Sequence, residues 1–315
     1  MKREKQGAVS GSARPRVVGV GIACLDYLFV ASRARPGGQG EVRERLIEGG
    51  GLVGTALVAA ARLGARAEIV TWVGDDAEGE LVLGGLREAG VDTRGAEVIA
   101  GARTPVSFVH VEEGSGERTI YHGPRLEVGA ERMGAAGGRS LSCEVLLVDG
   151  VWPAASTAAA RRAREAGIPV VGDFCPGEET RELAGLVSHL IVSGGCAEGL
   201  AGGGSWEERL GRLAEMGPEF VAITAGAEGC HYVAAGKVAH QPAFAVEVVD
   251  TTGAGDVFHG AFGYGLGRGW PAARVVEFAS AVAGLSCGAL GGRKAIPSLE
   301  EAVGLLGEQG AEGWE

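Results

Sequence analysis

Two hydrophobic periods alternate along the chain. Short apolar runs with few polar interruptions read as strands buried on both faces: Arg16 to Ile22, Glu68 to Val73, Val145 to Val148, Val170 to Asp173, Leu190 to Ser193 and Phe220 to Thr224. Between them, Thr55 to Leu63 (stopped by Gly64), Glu78 to Ala89 (stopped by Gly90), Ala154 to Ala166 and Trp206 to Met216 carry helical spacing. This alternation predicts an α/β fold, with a mostly parallel central sheet covered on both faces. Right-handed crossovers would wind it into a three-layer sandwich.

Two regions break the rhythm. Asp26 to Val30 and Val42 to Ile47 are strand-like with no helix between them, and Pro105 to Val111 and Arg118 to His122 suggest a hairpin around Glu112-Glu113-Gly114-Ser115-Gly116. Their alternation predicts a sheet with one exposed face, read here as a small β-sheet lid with strands from about 26–48 and 104–122. The exposed edge of such a lid is a place where two copies can pair, so a homodimer through the lid is expected. Without an internal linker or repeat, the chain reads as a disordered tail over 1–15 and a single domain over 16–315.

Composition narrows the function. The 315 residues include 57 glycines without a G-X-Y period, which excludes collagen and points to turns and close approaches. With 29 basic against 40 acidic residues the net charge is −11, which favours neither nucleic acid nor an anionic membrane. The basic cluster Lys2, Arg3, Lys5, Arg14 and Arg16 sits in the tail. No stretch approaches the ~18 apolar residues of a spanning helix, and no signal-peptide core precedes the first strand. Cys24, Cys143, Cys175, Cys196, Cys230 and Cys287 are far apart, with no CxxC or HExxH, so neither zinc nor a disulfide is expected. The protein thus reads as soluble, reduced and cytoplasmic. Six scattered histidines and the lack of a Gly-x-Ser-x-Gly elbow offer no hydrolytic centre.

Three glycine patterns remain. Gly19-Val20-Gly21 starts like a dinucleotide fingerprint, but Cys24 replaces the third glycine and a strand follows, so a dehydrogenase is not supported. Gly49-Gly50-Gly51-Leu52-Val53-Gly54-Thr55 has the outer spacing of a P-loop without its lysine, yet still turns glycines into a helix start that a polar ligand can face. The strongest is Asp250-Thr251-Thr252-Gly253-Ala254-Gly255-Asp256, entered from the apolar run Ala245 to Val249, read as a strand, and left by an Ala/Gly-rich helix. Its small residues let helix-start amides approach an anion, and Asp256 projects a carboxylate beside them. That suits phosphoryl transfer to a hydroxyl, with the carboxylate taking the proton.

This segment resembles the C-terminal signature of the PfkB family of carbohydrate kinases, which have the ribokinase-like fold. Gly50-Gly51 followed by Thr55-Ala56-Leu57-Val58-Ala59-Ala60-Ala61-Arg62-Leu63-Gly64 resembles the N-terminal signature, and the likeness runs from about 16 to 308. It implies an ATP-dependent sugar kinase with Mg²⁺, in which Asp256 is the general base and Gly253, Ala254 and Gly255 form the anion hole. The sugar would be held by Asp26, Gly50, Gly51 and Thr55. The nucleotide would lie near Ser193, Thr224, Gly226, Gly229, Thr252, Ala283 and Cys287.

Three departures bear on the substrate. Thr55 stands where many members have a sugar-contacting Asn, and the family's Asn-x-x-Glu is not intact around Ser193, with only Glu198 nearby in shifted register. The pattern is most similar to the sulfofructose and ketohexose kinase branch, yet Glu41 and Val151 lie near positions where a sulfonate needs basic residues. Arg43, Arg45 and Arg125 are the remaining candidate anion binders. The expected substrate is a ketose or pentose. A nucleoside kinase of the same fold and a non-catalytic sugar sensor are the alternatives.

Overall fold

The structure, a computed structural model, describes residues 14–32, 37–114, 118–137, 142–201, 203–234, 236–311 and 313–314. The tail through residue 13, and Ser115 and Gly116 of the hairpin turn, lie outside these. In chain order the elements are β1 (Arg16–Val20), β2 (Cys24–Ala31), β3 (Val42–Gly50), α1 (Leu52–Arg62), β4 (Arg66–Val70), β5 (Trp72–Gly74), α2 (Ala77–Glu88), β6 (Glu97–Ile99), β7 (Val106–Glu112), β8 (Arg118–His122), α3 (Ala130–Gly137), β9 (Val145–Asp149) and α4 (Pro153–Glu165). They continue with β10 (Val170–Asp173), α5 (Arg181–Ala184), β11 (His189–Ser193), α6 (Gly194–Ala201), α7 (Trp206–Ala214), β12 (Phe220–Thr224), β13 (Cys230–Ala234), β14 (Lys237–Gln241), α8 (Ala254–Gly267), α9 (Ala272–Ser286) and α10 (Leu299–Glu308).

An eight-stranded sheet in the order β14-β13-β12-β11-β10-β9-β1-β4 forms the centre. It is parallel from β4 to β12, and only β12-β13-β14 run antiparallel. Both faces are covered, as the apolar strands require. Val145 and Leu147 pack with α1, α8 and α9, whereas Leu146 and Val148 pack with Ala155 and Ala159 of α4 and Leu210 and Leu213 of α7. Because the strands are parallel, their carboxyl ends share one edge, where ligands of open α/β sheets bind. Four neighbouring strands, β9 to β12, end there on polar residues: Asp149, Asp173, Ser193 and Thr224.

A four-stranded sheet in the order β3-β2-β7-β8 forms the lid. It pairs β2 with β3 antiparallel and β2 with β7 parallel, and β7 with β8 antiparallel. Helices α1 and α8 cross closely because Gly260 has no side chain; a Cβ there would lie 3.0 Å from the Ala56 Cα. At that crossing Thr55 adjoins Ala56 and Asp256 lies one turn before Gly260, so both sit toward the amino ends of their helices.

Two expected strands differ. Glu68 to Val73 is interrupted at Thr71, and the continuation, β5, leaves the main sheet to pair with β6. The buried Thr71 hydroxyl instead accepts from the Ala23 N–H at 3.3 Å. Ala245 to Val249 is not a strand but an irregular segment with a bend at Val249. Its backbone bonds go to the Gln309 side chain and, from Val249 N–H at 2.8 Å, to the Cys287 carbonyl.

Candidate functional site

The first turn, entering α1, is assembled from three segments. β2 carries Asp26, β3 ends on Gly50, and Gly51 caps α1 with φ +90°, the left-handed region that glycine tolerates. A Cβ on Gly50 would occupy the place of the Asp26 carboxylate, and one on Gly51 would lie 2.6 Å from the Ile22 carbonyl oxygen. Cys24 Sγ donates to Asp26 Oδ1 at 3.3 Å, and burial raises the Asp26 pKa. Thr55 is buried and its hydroxyl accepts from Arg293 Nε at 3.2 Å, while Arg293 Nη2 donates to the Gly50 carbonyl at 2.7 Å. Sequence reading missed Arg293, whose only signal was a charge directly after Gly291-Gly292.

The second turn is pinned from within. Asp250 Oδ1 accepts from both Thr252 N–H (2.9 Å) and the Thr252 hydroxyl (2.8 Å), and its Oδ2 accepts from Gly291 N–H at 2.9 Å. Gly253 caps α8 with φ +70°, and Asp256 is the acidic residue of the first turn. Gly255 is exposed, with open space where a side chain would be. Burial first, then the nearby Asp173, push the Asp256 carboxyl well above the usual range. Asp173 is also raised by burial, and its Oδ2 makes no hydrogen bond. His259, one turn beyond Asp256, lies with Nδ1 2.8 Å from the Gly255 carbonyl and 3.3 Å from Asp173 Oδ2, and with Nε2 3.1 Å from the Ile191 carbonyl.

The lid touches this turn and the loop after α9 that packs on it. Glu48 of β3 accepts from Gly292 N–H, and Arg118 of β8 donates to the Thr251 hydroxyl. Burial pushes the Glu48 carboxyl up to about 7 against the opposing pull of that N–H and of Arg293. These contacts bring Asp26, Gly50, Gly51, Thr55, Gly253 and Asp256 together where the lid meets the sheet edge.

The remaining expected residues lie along the sheet edge and α9. Ser193 and Thr224 are register partners at the ends of β11 and β12. Gly226 (φ +56°) and Gly229 (φ +89°) shape the turn that follows, closed by Ala225 N–H donating to the Gly229 carbonyl at 2.7 Å. Cys287 Sγ donates to the Ala283 carbonyl at 3.3 Å, and the Cys287 carbonyl anchors Val249 and Asp250. Arg43, a candidate anion binder, pairs with Glu41 and Glu113.

One expectation is overturned. Cys175 and Cys196 are joined in a disulfide with Cα atoms 5.6 Å apart. Their separation of 21 residues disguised the pairing; each follows the end of one of two adjacent strands, β10 and β11. Cys196 is the third residue after Ser193, where the family motif has its Glu.

A buried carboxylate, Asp149, was likewise missed. Its Oδ2 accepts from Ile22 N–H at 2.6 Å and its Oδ1 from Val151 N–H at 3.0 Å, and burial still lifts it to about 7. Among the described residues no group of three His, Cys, Asp or Glu side chains could hold a metal. Chemically, the cleft offers a proton acceptor at an open helix amino end, facing a polar turn able to hold hydroxyls.

Comparison with known proteins gives the family. Residues 14–299 match the family model described as pfkB family carbohydrate kinase. The chain is 30% identical over 319 residues to 5-dehydro-2-deoxygluconokinase of Shouchella clausii, covering 93% of this chain and 96% of the relative. It is 31% identical to mouse ribokinase over 276 residues, covering 79% and 81%. A crystal structure of a ribokinase-like protein from Agrobacterium tumefaciens superposes with TM-score 0.82 at 32% identity, covering 94% of this chain and 99% of that one.

Proposed function

The chain belongs to the pfkB family of carbohydrate kinases, and we propose that it transfers the γ-phosphoryl group of ATP to a primary hydroxyl of a small neutral ketose or pentose. Membership makes it a phosphotransferase acting on a sugar hydroxyl, with ATP as the family's donor. The single observation that carries the finer reading is the Asp256 carboxyl at the amino end of α8, beside the open space over Gly255. ATP supplies the transferring group. Amides of Gly253, Ala254 and Gly255, with the positive end of α8, stabilise charge on it. Asp256 takes the proton of the attacking hydroxyl, and its raised pKa makes it a stronger acceptor once ionised. Asp26, Gly50, Gly51 and Thr55 orient the sugar. Ser193, Thr224, Gly226, Gly229, Thr252, Ala283 and Cys287 line the nucleotide side.

Three carboxyls, Asp26, Glu48 and Asp256, surround the single guanidinium of Arg293, which favours a neutral sugar over an anionic one. Mg²⁺ would enter on the nucleotide's phosphates and waters, since no group of three His, Cys, Asp or Glu side chains among the described residues could hold it, and no step here depends on a protein-bound ion. The lid supports pairing of two copies: among the described residues, five of the ten exposed large hydrophobics, Val42, Ile47, Phe108, Ile120 and Tyr121, lie on its strands. The test is ADP release from Mg-ATP across ketoses, aldopentoses, sulfofructose, deoxy-sugar acids and nucleosides, with Asp256→Asn alongside. Turnover on a neutral sugar, lost in the variant, supports the reading. Preference for a sugar acid or nucleoside overturns the substrate class.

A further inference from the structure

We propose that Arg293 is a positioning residue for the transfer: it clamps the turn that receives the sugar and supplies the positive charge among the carboxyls beside it. The inference rests on the kinase reading above. It starts from how the loop after α9 is held. Gly291 N–H is bound by Asp250 of the anion-hole motif at 2.9 Å, and Gly292 N–H by Glu48 of the lid. Gly292 also packs on Gly253, whose Cβ, if present, would lie 3.0 Å from the Gly292 Cα. A loop fixed from both sides carries Arg293 into the cleft.

There the guanidinium joins two points of the sugar-side turn, the Gly50 carbonyl at 2.7 Å and the Thr55 hydroxyl at 3.2 Å. The turn is built to admit it: a Cβ on Gly49 would strike Nη1, and one on Gly54 would lie 2.8 Å from Nη2. Thr55, standing in place of the family's frequent Asn, thus acts through Arg293. A planar, permanently charged fork suits this task in a way an ammonium does not. The titratable groups facing this cluster come from every neighbouring element: Cys24 and Asp26 of β2, Glu48 of β3, His122 of β8, Asp173 of β10, and Asp256 and His259 of α8. Arg293 favours the ionised forms of Asp26, Glu48 and Asp256.

Arg293→Lys, Arg293→Gln and wild type are compared on the sugar identified above, each checked by thermal melt, with KM for sugar and ATP and the pH profile of kcat/KM. Losing the two hydrogen bonds is expected to raise the sugar KM about tenfold in both variants, with the ATP KM unchanged. In Arg293→Gln the acid limb is also expected to move up by about one pH unit, because the carboxyls lose their cation, while Arg293→Lys keeps the wild-type limb. A purely structural role would lower the melt and leave the limb in place. The proposal is overturned if Arg293→Gln keeps the wild-type limb, or if the rise falls on the ATP KM. Should Arg293→Gln not fold, a wild-type sugar KM in Arg293→Lys overturns it equally. A wild type silent on every sugar removes the kinase reading and this inference with it; an active wild type with unaltered variants removes this inference alone.

Discussion

The turn entering α1 and the turn entering α8 are built from the same parts. Each runs glycines into a helix, each caps it with a glycine of positive φ (Gly51 at +90°, Gly253 at +70°), and neither glycine offers a capping side chain. Their surroundings differ. At α1 the space is filled by the protein: Asp26 against Gly50, Arg293 against Gly49 and Gly54, and the buried Asp149 carboxylate facing the Val53 N–H of the first turn. The positive end of α1 is already faced by a carboxyl of the protein. At α8 the first-turn carboxyl is Asp256 itself, and the space over Gly255 is open. A glycine-rich helix start therefore announces a close approach, and tertiary packing decides whether protein or ligand makes it.

The contrast can be broken at the open turn first. Asp256→Asn is expected to reduce sugar-dependent ADP release by about 10²–10⁴-fold with the sugar KM near wild type. A variant within threefold of wild-type turnover would leave the α8 turn without a base. Next comes the internal anion of the filled turn. Asp149 sits near 7 in the fold, above its unfolded value, so its contribution to stability is full below about pH 4 and is lost as pH rises to 7. Asp149→Asn is expected to flatten part of that decline, at most about 1.4 kcal/mol per pH unit, read from urea midpoints at three pH values. The variant also loses an acceptor, so it is less stable than wild type at the acid end, where Asp149 is protonated. An unchanged slope would mean Asp149 is ionised in the fold.

The same small substitution should then have opposite signs in the two turns. Gly50→Ala drives a methyl into Asp26 and is expected to cost about 1–3 kcal/mol in a denaturant titration. Gly255→Ala meets open space and is expected to gain about 0.5–1 kcal/mol while impairing turnover. The smallest effect belongs to the solvated lid charges: Arg43→Ala, removing exposed pairs with Glu41 and Glu113, should change stability by less than about 1 kcal/mol and leave the sugar KM alone.

Legibility followed the range of the forces involved. The parallel strands and their helices were readable because burial on both faces leaves a local, one-dimensional pattern, and β8 has the bounds its segment predicts, Arg118–His122, although all five residues are exposed. The lid strands β2, β3 and β7 were readable to within a few residues for the same reason. Ala245 to Val249 has strand composition, but no neighbour offers a ladder, so its backbone binds Gln309 and Cys287 instead. Asp256 stood out through its motif. Arg293, Asp149 and the Cys175–Cys196 pair did not, because each meets its partners only after distant strand ends and loops converge.

The fit of Arg293 into its turn also gives this pocket a preferred order of change. The three atoms nearest a would-be Cβ on Gly49 all belong to Arg293, and those nearest one on Gly50 all belong to Asp26. Each glycine is thereby yoked to one distant side chain. An alanine at position 49 has to displace the guanidinium from its bonds to Gly50 and Thr55, whereas shortening Arg293 first removes that cost. Remodelling of the pocket is therefore expected to run more easily from the large residue to the small one than in the other direction.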